Sequence, residues 1–150
     1  MDGFVALCSI LGKLHKVSLS NCGLGTTSTA ELAKVFSEPS AGITSINCLA
    51  NNFGDEGLAT LLEAVKSSSV RSLCGLVEGQ KTADFSKMNL GPIDCKIMAA
   101  EFGFRGFIAA VNSLAIDSTG IMGIQKTYTL PATEENIDLG KKNLGPADVA

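Results

Sequence analysis

Tryptophan is absent from this chain, tyrosine and histidine each occur once, and four prolines are spread over 150 residues. A lone histidine leaves little room for acid–base chemistry, because any Ser-His or Cys-His arrangement has to recruit it. That residue, His15, stands between Leu14 and Lys16, where it is expected to face solvent from a strand. CxxC, HExxH and a second histidine are all missing, so the usual zinc spacings do not occur and no metal is expected. Gly23-Leu24-Gly25 opens like a dinucleotide fingerprint but has Ser28 where the third glycine belongs, and Gly75 to Lys81 lacks the Gly-Lys-Ser/Thr closure of a phosphate loop. No cofactor follows from the sequence. The carboxylate pairs Asp55-Glu56 and Glu134-Glu135 are expected in solvated turns, with no apolar pocket to raise their pKa. No catalytic residue is assigned, and the chain is not expected to be an enzyme.

Concentrated positive charge is also lacking. The net charge is −3 and the basic residues are scattered, with only Lys141-Lys142 adjacent, so nucleic acid is not expected as a partner. Apolar runs are broken well before the ~18 residues of a membrane span, which argues against membrane insertion. The N-terminal stretch carries Asp2 where a signal peptide has its basic region, and it reads as structure. Five cysteines, an odd number, cannot all pair within one chain. Reduced, mostly buried thiols and an intracellular, cytoplasmic home are therefore expected.

What the chain does have is internal similarity. Residues 14–25, LHKVSLSNCGLG, and residues 43–54, ITSINCLANNFG, both fit L-x-x-L-x-L-x-x-N/C-x-L followed by glycine, at an offset of 29. Further on, ADFSKMNLGPID at 83–94 matches IDLGKKNLGPAD at 137–148, an offset of 54 that holds two copies, with IAAVNSLAIDS at 108–118 between them. Five copies result, with Cys22, Asn51, Met88, Ile116 and Lys142 at equivalent positions. A second register for the fourth copy, VNSLAIDSTGI, puts Thr119 there in place of Ile116.

Alternation over each L-x-L stretch predicts a short strand, and the following segments switch to helical spacing. Ala30, Ala33, Val35 and Phe36 predict one apolar helix face, Leu58, Leu61, Leu62 and Val65 a second, and Ile93, Ile97, Met98 and Phe102 a third. Pro92 suits the first helical position and Asp94 the first turn, where the helix dipole favours a carboxylate, so Asp94 reads as a capping residue and not as a catalytic acid. The expected fold class is α/β: a right-handed β-α superhelix with a parallel sheet on its concave face and helices on its convex face. One domain spans 1–150, with 1–13 a capping helix built on Phe4, Val5, Leu7, Cys8, Ile10 and Leu11, and about five repeats over 14–150, the last incomplete.

The motifs at 14–25 and 43–54 resemble the ribonuclease-inhibitor-like class of leucine-rich-repeat proteins, which includes the repeats of NOD-like receptors. The resemblance implies that Cys22 and Asn51 satisfy backbone groups in the loops and that the concave sheet or its rim binds another protein. Two segments depart from the period. Between Val70 and Thr82 the chain exceeds a typical repeat by about eight residues, which predicts a surface loop. Between Gly120 and Asn136, Thr129 and Pro131 favour an extended segment over a helix.

The outward strand positions nominate Ser18, Ser20, Asn21, Asn47, Leu49, Asp84, Lys87, Asn112, Leu114 and Lys141 as a partner-binding surface. The expected function is a non-catalytic protein–protein interaction module, part of a longer leucine-rich-repeat protein or of a multi-subunit assembly. The alternative is a structural subunit docking through an open C-terminal end.

Overall fold

The computed structural model describes residues 2–104, 106–117 and 126–131. The chain is mixed α/β. Helix α1 (Asp2–Leu11) leads into strand β1 (Lys16–Ser18), helix α2 (Thr26–Ser37), strand β2 (Ser45–Asn47) and helix α3 (Gly54–Lys66). Strand β3 (Thr82–Asp84), helix α4 (Pro92–Gly103), a 3-10 turn (Phe107–Ala110), strand β4 (Ser113–Asp117) and strand β5 (Thr127–Pro131) follow. β1 and β2 pair in parallel with Val17 opposite Ile46, the expected offset of 29. Helices α1, α2 and α3 pack side by side in that order.

Past β2 the expected loop is instead a third row of backbone. Residues 72–74 lie along the edge of β2 away from β1, with Ile46 N–H donating to Ser72 O at 2.9 Å and Cys48 N–H to Leu73 O at 2.9 Å. Val70, Ser72, Leu73, Cys74 and Leu76 are buried, and only Val77–Gly79 form an exposed turn. The apolar side chains of the supposed insertion thus join the core, the favourable outcome for this much hydrophobic surface. At Gly75 the row turns over Asn47: its φ is +78°, and an added Cβ would stand 2.8 Å from the Asn47 Cβ.

β3 belongs to a second sheet, ordered β3-β4-β5, in which β3 and β4 are parallel and β5 is antiparallel. Of the extended segment expected between Gly120 and Asn136, Thr127–Pro131 form β5, and residues 120–125 and 132–136 lie outside the described residues. Ala83 pairs with Leu114, an offset of 31. That matches the register in which Thr119, which lies outside the described residues, is the equivalent position, not the one that uses Ile116.

The helix faces also differ from the apolar pattern. α2 buries Ser28, Thr29, Leu32, Val35 and Phe36 and leaves Ala30 exposed. α4 buries Asp94, Ile97, Met98 and Glu101, while Phe102 is exposed. Two carboxylates outcompete Ile93 and Phe102 for the inner face because backbone N–H groups wait there for an acceptor. Asp55 and Glu56, expected in a turn, occupy the first turn of α3, where the dipole favours them. A continuous apolar cluster runs from Cys8 and Leu11 on α1 to Ile116 on β4.

Gly106 marks the tightest approach behind α4. Its φ of −68° suits any residue, yet an added Cβ would run into the Arg71 carbonyl oxygen, the Glu101 Cγ and the Phe104 ring. Space, not conformation, selects glycine. Gly106→Ala is expected to cost about 1–3 kcal/mol, read as a lower urea midpoint with an unchanged slope.

Candidate binding surface

The nominated surface residues divide between the two sheets. Ser18 and Asn21 are exposed beside β1, and Asp84, Lys87 and Asn112 are exposed beside β3 and β4. Ser20 and Asn47 are half-buried, Asn47 because the chain turns over it at Gly75. Lys141 lies outside the described residues. Leu49 and Leu114 are corrections, since both are buried. Leu114 pairs with Ala83 in the observed register. The expected register was displaced by three residues, and an odd displacement along a strand moves every side chain to the opposite face. Leu49, fully buried, belongs to the same apolar cluster as Leu73, Cys74 and Leu76 of the unforeseen third row.

His15 is exposed, with Nδ1 2.9 Å from the Gly42 carbonyl. Cys22 faces solvent and its thiol donates to the Ser20 carbonyl of its own turn at 3.5 Å, one local backbone bond where Asn51 spans two turns. On α1, Cys8 and Leu11 are buried, but Val5, Leu7 and Ile10 are exposed, so the helix closes the first strand–helix unit with one face only. None of the five cysteines is joined in a disulfide, and Cys8, Cys48 and Cys74 are buried. Burial, with a smaller contribution from Glu101, pushes Cys48 up to about 12, and the same causes raise Cys74 well above the usual thiol range. Both sulfurs are therefore poor nucleophiles at neutral pH.

Three buried polar side chains hold the turns in place. Asn51 spans the β1 and β2 turns: its Oδ1 accepts from Cys22 N–H at 3.2 Å and Leu24 N–H at 3.0 Å. Its Nδ2 donates to the Leu19, Cys48 and Leu49 carbonyls at 2.8, 2.9 and 3.3 Å. Asp94 accepts from Gly91 N–H at its own helix start and from Ala50 N–H in the preceding turn, each at 2.8 Å. Glu101, two turns along the same face of α4, accepts from Leu73, Cys74 and Ile108 N–H at 2.9, 3.2 and 3.1 Å. Asp94 was legible as a cap, though not its second bond across the fold. Glu101 was missed. Its seven-residue spacing from Asp94 was the available signal, and a glutamate on a helix ordinarily reads as solvated.

Burial raises the Asp94 pKa against the opposing pull of its two backbone donors. A carboxyl with a higher pKa in the folded state binds its proton more readily there, so its ionisation opposes folding. Stability then falls as pH rises from the unfolded value, 3.8, through the folded one, and this contribution is constant above it. Asp94→Asn removes the titration. Wild type is expected to lose ground against this variant as pH is raised from about 4 and to hold a constant difference near pH 7, measured by urea unfolding of both proteins.

These anchors fix a row of turns in which Asn21, Ala50 and Lys87 all adopt the left-handed conformation, with φ of 54°, 59° and 59°. Ala50 gains nothing locally from that conformation, and its N–H bond to Asp94 supports it. Between the turns at 50–52 and 87–91 lies a cleft of about 500 Å³, lined among others by Asn21, Asn52, Lys87, Met88, Asn89 and Asp94. Among the described residues no group of three His, Cys, Asp or Glu is placed to hold a metal ion. Among them, too, no helix is long and apolar enough to cross a membrane. No family model, no curated protein and no solved structure matches the chain.

Proposed function

We propose that the chain is a non-catalytic protein-binding module built as a leucine-rich-repeat solenoid of the ribonuclease-inhibitor-like kind. The offset of 29 between β1 and β2, with Asn51 tying their two turns together, supports the repeat reading. The observation that carries the functional reading is the division of labour among polar groups. Asn51, Asp94 and Glu101 are buried and committed to backbone, while Ser18, Asn21, Asp84, Lys87 and Asn112 stand exposed on the framework they hold. A rigid scaffold presenting polar side chains is suited to recognition.

The test is capture of a partner by the folded chain, purification of that partner, and titration calorimetry against Ser18→Arg, Lys87→Glu and Asn112→Arg. Binding at least about tenfold weaker in one variant, with an unchanged circular-dichroism spectrum, supports the module. Failure of any protein to bind the folded chain with a Kd below about 100 μM sets it aside.

A second reading, assembly through an apolar end, is favoured by α1, where Val5 and Ile10 remain 45% and 50% exposed. The C-terminal end expected to take this role lies outside the described residues. Sedimentation equilibrium distinguishes the readings: a monomer at high concentration removes self-assembly, and a dimer abolished by Ile10→Glu supports it.

A further inference from the structure

Strand β1 ends its sheet, and its outer edge is open among the described residues. The His15 carbonyl accepts from Thr44 and Ser45 N–H at 3.0 and 3.1 Å, and Leu19 N–H donates to the Asn47 carbonyl at 2.8 Å, so the odd-numbered residues bond toward β2. Alternation turns the N–H and C=O groups of Lys16 and Ser18 the other way, where no described strand pairs with them. A row of unpaired donors and acceptors of this kind is a template for one more strand.

The surroundings of the edge are apolar on one side and positive on the other. α1 packs on α2 as α2 packs on α3, yet no described strand precedes α1 to lie beside β1. Val5, Ser9 and Gly12 line the groove between α1 and α2. Leu7 and Ile10, on the opposite side of α1 by helical spacing, are exposed, as is Leu14. Val17, whose side chain points to the core, is only half-buried at the open edge. No carboxylate occurs from residue 3 to residue 30, in a chain whose net charge is −3. Lys13 shares its groove with Glu38, and Lys34 there is paired with Glu31. Lys16 is exposed and in no ion pair among the described residues, and its neighbours in register, Ser45 and Ser72, are neutral.

We propose that the outer edge of β1 takes an extended segment of a partner protein in which apolar residues alternate with acidic ones. Its backbone would complete the bonds of Lys16 and Ser18. Its inward side chains would cover Val17 and the exposed flank of α1, and its outward ones would lie beside Lys16, where a carboxylate forms a cross-strand pair. A second copy fits less well, because its own β1 would bring another lysine and no carboxylate to the edge, and a lysine there discourages self-pairing. An anionic membrane surface would suit Lys16, Leu7 and Ile10 but offers no regular row of donors to the edge carbonyls. This inference rests on the protein-binding reading and gives the partner a place and a chemistry.

The probes are capped heptapeptides that alternate glutamate with valine, lysine with valine, or glutamate with serine, and vesicles of phosphatidylcholine with phosphatidylserine. Binding is read by titration calorimetry and by hydrogen exchange of the Lys16 and Ser18 amides in 15N-resolved NMR spectra. The glutamate–valine peptide is expected to slow both amides at least about tenfold. It is also expected to bind about tenfold more tightly than either other peptide. Lys16→Glu, at an exposed position, is expected to reverse the preference between glutamate and lysine. Ser18→Pro removes an edge donor that no described group uses and is expected to lower affinity about tenfold; should it fail to fold by circular dichroism, Lys16→Glu carries the test. The proposal is overturned by unchanged exchange with every peptide, by equal affinity for glutamate and lysine, or by a preference that survives Lys16→Glu. Slowing that rises with protein concentration alone assigns the edge to a second copy, and slowing by vesicles but not peptides assigns it to a membrane; either also overturns it. A captured protein partner that ignores Lys16→Glu and Ser18→Pro overturns the edge and leaves the broader reading standing.

Discussion

Glu101→Ala is expected to lower the unfolding free energy by about 4 kcal/mol, enough to move the melting temperature of a domain this size by roughly 10 °C. The side chain is fully buried, and its two oxygens serve three N–H groups from two different segments: Leu73 and Cys74 in the third row, Ile108 in the 3-10 turn. Each donor left buried without an acceptor costs about 1–3 kcal/mol, against a net gain near 1 kcal/mol for an ordinary hydrogen bond. The expected total stands near the low end of the sum for three donors, since a vacated polar space can admit water. Glu101→Gln keeps the volume and one oxygen but turns an NH2 group toward a donor, so about 2 kcal/mol is expected. Urea unfolding of the three proteins measures both losses. An alanine variant within about 0.5 kcal/mol of wild type would show that the joint is held by packing alone.

Glu101 also illustrates where sequence reading stops. Periodicity reports which side chains prefer the interior, and it located β1, β2, their offset of 29, and the helices after them. It has no means of reporting a backbone donor elsewhere in the fold that needs an acceptor. The inward turn of Asp94 and Glu101 and the exposure of Phe102 follow from such donors on residues 50, 73, 74 and 108. The third row escaped for a related reason. VRSLCGL lacks the full motif, so its apolar residues read as an insertion, and the length surplus before β3 was assigned to surface loop. The register of β4 turned on a three-residue choice between Ile116 and Thr119, and that choice moved Leu114 from the expected binding face to the core. Residues whose side chains point to solvent from a strand end or a turn, such as His15, Asn21 and Lys87, were legible.

Asn51 and Asn52 adjoin in sequence and are expected to respond in opposite ways. Asn51→Ala removes one acceptor that serves two N–H groups and one NH2 that serves three carbonyls, all within a residue only 9% exposed. Leu24 N–H and the Leu19, Cys48 and Leu49 carbonyls all belong to buried residues and would lose this partner. A loss of about 3 kcal/mol is expected. Asn51→Asp sharpens the reading, because an ionised carboxylate still accepts from Cys22 and Leu24 but faces three carbonyl oxygens with no proton to give. Its folded-state pKa must rise above the unfolded value near 3.9, so this variant gains stability as pH falls through that window, whereas the alanine variant does not. Asn52→Ala touches no hydrogen bond among the described residues, and its cost is expected within about 0.5 kcal/mol. Equal losses at the two positions would mean that the turn tolerates water at Asn51, and the case for a rigid row of turns would fail with it. Unequal losses would leave Asn52 free to be altered for binding measurements without disturbing the framework that Asn51 holds.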